Sequence, residues 1–210
     1  ISQLLKQSAE ARRLLTLEPD FSIRGALDIR EAVQLAARGK VLEPQTLVEI
    51  QMTLAAARYV RNALKKVSRD LPLLWEIADR IVELPHLESE IGRCITPTGE
   101  ILDSASAKLG ELRHQLKETR QQLLDRLEAI MRSPRGKRFI QASFIAERDG
   151  RYVIPVKSES RKEIKGIIHD ISNTGATAYI EPWTTVEMGN ELRELTIDEK
   201  REVERILMAL

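Results

Sequence analysis

One stretch decides the fold class: residues 148–182, with the sequence RDGRYVIPVKSESRKEIKGIIHDISNTGATAYIEP. The Asp149-Gly150 pair is typical of a two-residue type I′ hairpin turn, because both residue types tolerate a positive φ. A second turn signal, Asn-Thr-Gly, follows at 173–175. The segments beside these turns are rich in Val, Ile and Tyr, which predicts strands. We therefore predict a small antiparallel β module over residues 142–182.

The turn at Asp149-Gly150 also predicts which residues pair. It joins SFIAER (143–148) to RYVIPVK (151–157) and places Arg148 opposite Arg151. IKGIIHDIS and TAYIEP form the second predicted pair. Pro155 cannot donate a ladder hydrogen bond, so we expect its strand at the edge of the sheet. Most aromatic residues of the chain lie in or beside this module, and we expect them to form its core: Phe139, Phe144, Tyr152, Tyr179 and Trp183.

The sequence on both sides of the module has helical spacing. Residues 1–103 predict a helical core domain, with Pro44 and Pro72 at helix starts and a turn at 96–103. We predict a long helix that leaves this domain, with a connection, over residues 104–141. We predict a second helix that returns to it, truncated at the end of the chain, over residues 183–210. Their opposite net charges favour an antiparallel pair. The fold class is thus mainly α, with a β-rich insertion carried on long antiparallel helices.

Composition limits the classes of protein. The chain has 210 residues, a net charge of +1 and one cysteine, which excludes an internal disulfide framework and suits a reducing compartment. No apolar run approaches the roughly 20 residues of a membrane span, and we expect a cytoplasmic protein with no membrane partner. The chain begins with Ile1, and its final helical pattern is still running at Leu210. We therefore expect it to be a piece of a longer protein.

Motifs for catalysis are absent from the sequence. It contains no GxxxxGK[ST] phosphate loop, no HExxH, no CxxC and no GxSxG. His86, His114 and His169 have no companions at metal-ligand spacing. His169 and Asp170 are neighbours on a predicted strand and face opposite sides, which argues against an acid–base pair. We interpret Cys94 as a small core residue, and we expect neither a catalytic nor a metal site in this chain.

Positive charge is the one strong functional signal. From Arg132 to Lys165 the chain has ten Lys and Arg residues against four acidic ones. Basic groups on a predicted loop at 158–165 and beside a hairpin turn are suited to contact phosphates. A merely solvated surface and a protein partner remain alternatives to nucleic acid. The candidate nucleic-acid-binding residues are Lys137, Arg138, Arg148, Arg151, Lys157, Arg161, Lys162 and Lys165.

Several short motifs resemble one known family. They are RDGRYVIPVK (148–157), GIIHDIS (166–172), SNTGAT (172–177), YIEP (179–182) and NELREL (190–195). In these motifs the chain resembles the second bacterial branch of the MutS superfamily, often called MutS-II. The similarity is dense over 135–195 and looser over 20–134.

The resemblance implies an architecture and a function. Residues 1–103 would be the core, the two long helices a lever, and residues 142–182 a clamp at the lever tip. Family members are homodimeric ATPases that embrace nucleic acid, and this branch also carries a small carboxy-terminal Smr nuclease domain. ATP and Mg would bind in the ATPase domain, which this chain lacks, so no such activity is assigned to its residues.

Three functions stay open on this resemblance. The first is a clamp on double-stranded or branched DNA that suppresses homologous recombination. The second is a clamp on ribosomal RNA that acts in the rescue of collided ribosomes. The third is a dimerisation scaffold. Phosphate contacts serve the first two equally well, so the sequence does not separate them.

Overall fold

The computed structural model describes residues 2–210, and these form two compact units. One unit contains residues 2–106 together with Val203–Leu210, and the other contains Ala107–Glu202. The predicted fold class is confirmed: the chain is mainly helical and carries a small antiparallel sheet of four strands among the described residues.

The first unit is helical. Its helices are α1 (Ser2–Leu17), α2 (Arg30–Ala37), α3 (Pro44–Lys66), α4 (Pro72–Ala78) and α5 (Pro85–Cys94), followed by a 3₁₀ helix at Asp103–Ala105. Proline occupies the start of α3, α4 and α5, where the missing N–H has no intrahelical partner to lose. Leu14, Leu64, Leu71 and Ala78 form a buried cluster that joins α1, α3 and α4. Cys94 is buried, as expected of a core residue.

The second unit alternates helix and strand. It begins with α6 (Ala107–Arg132) and α7 (Gly136–Phe139), and continues with β1 (Ala146–Arg148) and β2 (Arg151–Lys157). A 3₁₀ helix (Ser158–Glu163), β3 (Gly166–Ile171) and β4 (Thr177–Pro182) follow, and then α8 (Trp183–Ala209) begins. The segment 158–165, which the sequence predicts as a loop, is therefore largely a 3₁₀ helix.

The two long helices are antiparallel, as predicted. Arg113 Nε lies 2.9 Å from Glu199 Oε1, and Lys108 Nζ lies 3.9 Å from Glu202 Oε2. The start of α6 is thus beside the later part of α8. The apolar stripe of α6 is buried, and Thr119 is buried with it in the gap that the leucine spacing leaves. The stripe needs this cover because a long helix with one apolar face must bury that face.

The sheet has the strand order β1-β2-β4-β3, and all neighbours are antiparallel. Asp149 and Gly150 have φ values of 51° and 74°, which is the type I′ geometry, and Arg148 pairs with Arg151 as predicted. The expected edge position of Pro155 is wrong, because β2 lies between β1 and β4 and Pro155 pairs with Tyr179.

Proline is tolerated on this inner strand because β1 is short. The strand predicted over 143–148 begins only at Ala146, which pairs with Val153, so β1 does not reach Pro155. Gln141 N donates to Pro155 O at 2.9 Å. The nitrogen and the carbonyl of one strand residue point to the same side, so the Pro155 nitrogen faces the side that β1 leaves uncovered.

Aliphatic residues fill the core of this unit. Ile154, Val156, Ala178 and Ile180 on one face of the sheet pack with buried residues of α6 and with Phe139. Of the aromatic residues expected in the core, Phe139 is buried and Tyr152 packs against the cluster, whereas Tyr179 lies on the opposite face of the sheet, under Arg148. Phe144 and Trp183 are 50% and 58% exposed. The expectation is wrong for these two because Leu123, Leu127 and Met131 of α6 already cover the sheet.

Candidate nucleic-acid interface

Two short basic helices lie side by side in the second unit. Helix α7 carries Lys137 and Arg138, and the 3₁₀ helix carries Arg161 and Lys162. Lys157 Nζ, at the end of β2, donates to Arg138 O at 3.3 Å. These five residues are called the basic surface below. The structure thus brings together basic residues that are up to 25 positions apart in the sequence.

A second link between the two helices comes from Arg135. Its Nη2 donates to Glu163 O at 3.0 Å and lies 3.4 Å from Glu163 Oε2. Arg135 is the residue before α7, and Glu163 is the last residue of the 3₁₀ helix. Together with the bond from Lys157, this contact links the two helices at both ends.

Gly136 determines the position of α7. A Cβ atom at this glycine would lie 2.0 Å from Ile130 O and 2.7 Å from Met131 O, so no side chain fits against the end of α6. Ser133 stabilises the reversal, because its Oγ accepts from Gly136 N at 2.9 Å and donates to Ile130 O at 2.7 Å. The close approach turns α7 back onto α6 and presents Lys137 and Arg138 to solvent.

Four cations of the basic surface have no carboxylate partner among residues 2–210. Lys137, Arg138, Arg161 and Lys162 are exposed, and none of them forms an ion pair within 4.0 Å among residues 2–210. Lys165 is exposed as well, and its backbone carbonyl accepts from Trp183 N at 3.0 Å. Glu163, an acidic neighbour, is engaged with Arg135. The surface therefore presents an excess of positive charge that is free to meet phosphates.

The structure does not bring Arg148 and Arg151 to this surface. Arg151 and Lys157 are the two ends of β2, six residues or about 20 Å apart. Arg148 stacks over the Tyr179 ring at 4.2 Å and donates to Asp170 Oδ2 at 2.9 Å. These contacts offset the like-charge pairing that the hairpin register creates.

Arg151 belongs to a buried polar network that the sequence analysis missed. Its Nη1 donates to Glu181 Oε1 at 3.3 Å and its Nη2 donates to Asn190 Oδ1 at 2.6 Å. The second carboxylate oxygen, Glu181 Oε2, lies 2.7 Å from His169 Nε2. Glu181 is 2% exposed, so both of its oxygens are satisfied inside the protein. The network joins β2, β3, β4 and α8.

A register shift places the side chains of His169 and Asp170 on the same face of the sheet, the face that carries Tyr179 and Glu181, so the expected opposite orientation is wrong. The pairing of β3 with β4 is irregular between Ile168 and Asp170. His169 turns to Glu181, while Asp170 turns to Arg148, and the two neighbours do not pair with each other. A bulge often re-aims side chains in this way. The sequence contains one sign of this network: a charged residue, Glu181, in the otherwise apolar strand YIEP, with a glycine, Gly189, in the helix that follows.

Over residues 2–210, no group of three or more His, Cys, Asp and Glu side chains is arranged to hold a metal ion. In the same part of the chain, no helix is both long enough and apolar enough to cross a membrane.

Comparison with known proteins connects this architecture to one group. No family model matches the chain. It is 42% identical over 205 residues to endonuclease MutS2 of Pelotomaculum thermopropionicum, a match that covers 98% of the chain and 26% of the relative. It is 41% identical over 213 residues to endonuclease MutS2 of Thermomicrobium roseum, and 36% identical over 213 residues to the putative endonuclease MutS2 of Bacillus subtilis. Each of these two matches covers 100% of the chain and 27% of the relative.

Helical architecture, inserted sheet and identity together define the class: the chain corresponds to a segment of a MutS-like protein. Within that class it matches MutS2 proteins over nearly its whole length, which confirms the resemblance seen in the motifs. The chain spans about a quarter of the length of the curated relatives that it matches.

Proposed function

We propose that this segment is a clamp that binds the backbone of double-stranded or branched DNA through the basic surface. The observation that carries the proposal is a set of four exposed cations on two adjoining short helices, which have no carboxylate partner in the described part of the chain. Lys and Arg bind phosphate oxygens through charge-assisted hydrogen bonds. Such contacts position a protein on nucleic acid and carry no base information.

Rigidity supports this role. The basic surface is attached to α6 through the close contact at Gly136 and to the sheet through Lys157. The backbone of the two short helices is already held in place, so binding has to order only the cationic side chains, and more of the attraction contributes to affinity. A flexible basic loop would lack this advantage.

At the level of the longer protein, the proposal is a MutS2 endonuclease that embraces branched DNA as a homodimer and suppresses homologous recombination. Its ATP and Mg would be bound outside this chain, whose sequence has no phosphate loop. The clamp would contribute affinity for the DNA backbone, while recognition of DNA shape would come from the geometry of the dimer.

The salt dependence of binding tests the proposal. Four phosphate contacts predict that log K falls against log salt with a slope of about −3.6, at about 0.9 for each contact on duplex DNA. Between about 50 mM and about 200 mM salt, the affinity for a four-way junction should then fall by about 150-fold. The Arg161→Glu/Lys162→Glu variant removes two contacts and should reduce the slope by about 1.8 as well as the affinity.

A matched control uses Lys200→Glu/Arg201→Glu. These exposed residues carry the same charge and lie on α8, about 25 Å along the helix from its start at Trp183. This control should retain most of the affinity. Co-sedimentation with collided ribosomes at the same salt forms the second arm of the experiment. If the Arg161/Lys162 variant loses ribosome binding but keeps junction binding, RNA is the target. If it keeps both, the basic surface is only solvated.

A further inference from the structure

A groove beside the basic surface has a different character. It has a volume of about 430 Å³ and lies where the end of α6 meets the segment between α7 and β1. Met131 and Ile145 supply apolar lining and Phe144 supplies an aromatic ring, while the charged lining consists of Arg132, Lys137 and the carboxylate of Glu128. Its volume lies within the range of about 300–1,000 Å³ that is usual for ligand sites.

Phe144 is the notable residue of this groove. Its side chain is 50% exposed, although the aliphatic core of the same unit is only a few residues away in sequence. A large apolar side chain that stays in water forgoes the stabilisation of burial. Phe144 lies in the segment 140–145, which has no helix and no regular strand, so the backbone does not force the ring outward as part of a strand face.

Charge indicates which ligand suits the groove. Arg132 is paired with Glu128 at 2.8 Å, but Lys137 has no carboxylate partner among residues 2–210. Lys137 belongs both to the groove and to the basic surface. A nucleic-acid strand whose phosphates contact the basic surface would therefore pass the entrance of the groove. The Phe144 ring would then lie beside that strand.

We propose that this groove binds an unpaired nucleobase, which stacks on Phe144 while a neighbouring phosphate contacts Lys137. Every base has a π face, so stacking on an aromatic side chain tolerates any sequence. Bases inside a duplex are already stacked on each other and do not reach such a ring. The preferred substrate is therefore nucleic acid with a single-stranded gap or tail, where at least one base is unpaired. This inference rests on the proposed function.

The experiment compares two probes with the 210-residue chain at low salt. One probe is a duplex with a short single-stranded thymidine tail, and the other is a blunt duplex with the same number of phosphates. Phe144→Ala should weaken binding of the tailed probe by roughly 5- to 150-fold, the range that follows from losing one stacked base. Binding of the blunt duplex should change by less than about twofold, because phosphate contacts remain.

Two further variants separate stacking from simple apolar contact. Phe144→Trp should retain the affinity for the tailed probe, and Phe144→Leu should lose it, because leucine is apolar but has no π face. Placing 2-aminopurine in the tail gives a spectroscopic readout, since its fluorescence should change with wild-type chain and not with the alanine variant. The circular dichroism melt of each variant checks that the chain is folded.

The outcomes distinguish the two proposals. If Phe144→Ala or Phe144→Leu binds the tailed probe as tightly as wild type, no base stacks in the groove, although the clamp proposal survives. If Phe144→Ala weakens both probes equally, the ring supports the fold or the duplex contact, and the inference is wrong. If wild type binds neither probe, both proposals are wrong. If Arg161→Glu/Lys162→Glu keeps full duplex affinity while Phe144→Ala loses the tailed probe, only the basic-surface assignment fails.

Discussion

Replacing Glu181 with alanine removes a buried carboxylate that holds together β2, β3 and β4. In the structure Glu181 is 2% exposed, and its oxygens contact Arg151 Nη1 at 3.3 Å and His169 Nε2 at 2.7 Å. The Arg151 side chain is only 16% exposed and that of His169 only 19% exposed. The alanine variant leaves both groups without their acceptor, in a place where little water reaches them.

The magnitude follows from this geometry. Removing one member of a buried ion pair typically costs about 3–5 kcal/mol of unfolding free energy, because the remaining charge is buried and uncompensated. Arg151 keeps one hydrogen bond, from Nη2 to Asn190 Oδ1 at 2.6 Å. We therefore expect the lower end of the range, about 3 kcal/mol, for Glu181→Ala.

Native-state hydrogen exchange is the appropriate assay, because two compact units need not unfold in one step. In peptides that cover β2 and β4, a loss of about 3 kcal/mol should accelerate the slowest amides by about 150-fold. Glu159→Ala is the matched control, since Glu159 is an exposed carboxylate in the same unit. Its exchange should stay close to wild type, as usual for surface substitutions.

Two results would refute this reasoning. Equal exchange rates in the Glu181→Ala and Glu159→Ala variants would mean that the network contributes nothing to stability. Strict additivity of Glu181→Ala and Arg151→Ala in a double-mutant cycle would mean that the 3.3 Å contact carries no interaction energy.

Two glycines give further predictions, beside those on the basic surface and on Phe144. Gly189→Ala places a Cβ 2.7 Å from Glu181 Oε1 and 2.8 Å from Arg151 Nη1. We expect it to lower the unfolding free energy, measured by hydrogen exchange in peptides of β4 and α8, by about 1–3 kcal/mol. Exchange that matches an exposed Glu194→Ala control would show that the two side chains move aside freely. A Cβ at Gly150 would have no atom within 4 Å, but the φ of this residue is +74°. Gly150→Ala should therefore lower the unfolding free energy by about 1–2 kcal/mol through backbone strain alone. Gly150→Asn should cost less, because asparagine tolerates this conformation, and equal losses for the two variants would contradict the type I′ explanation.

Local chemistry explains what the sequence predicts well. The Asp149-Gly150 turn sets the pairing of Arg148 with Arg151, because a two-residue turn leaves a single register. Pro44 and Pro72 begin helices, since the first helical N–H has no partner to lose. Each of these features depends on residues within a few positions of each other. The MutS-like motifs lie in the same region, so the class of protein is also visible without coordinates.

Features that depend on distant residues needed the tertiary structure. Strand order placed Pro155 on an inner strand, because the length of β1 and the partner β4 are not local properties. Candidate cations look alike in sequence, yet Arg151 is bound to Glu181, 30 positions away, while Arg161 has no carboxylate partner among residues 2–210. Exposure of Phe144 likewise depends on how α6 covers the sheet. Turns and helix starts are thus encoded locally, whereas the free or engaged state of a charge is decided by the folded chain around it.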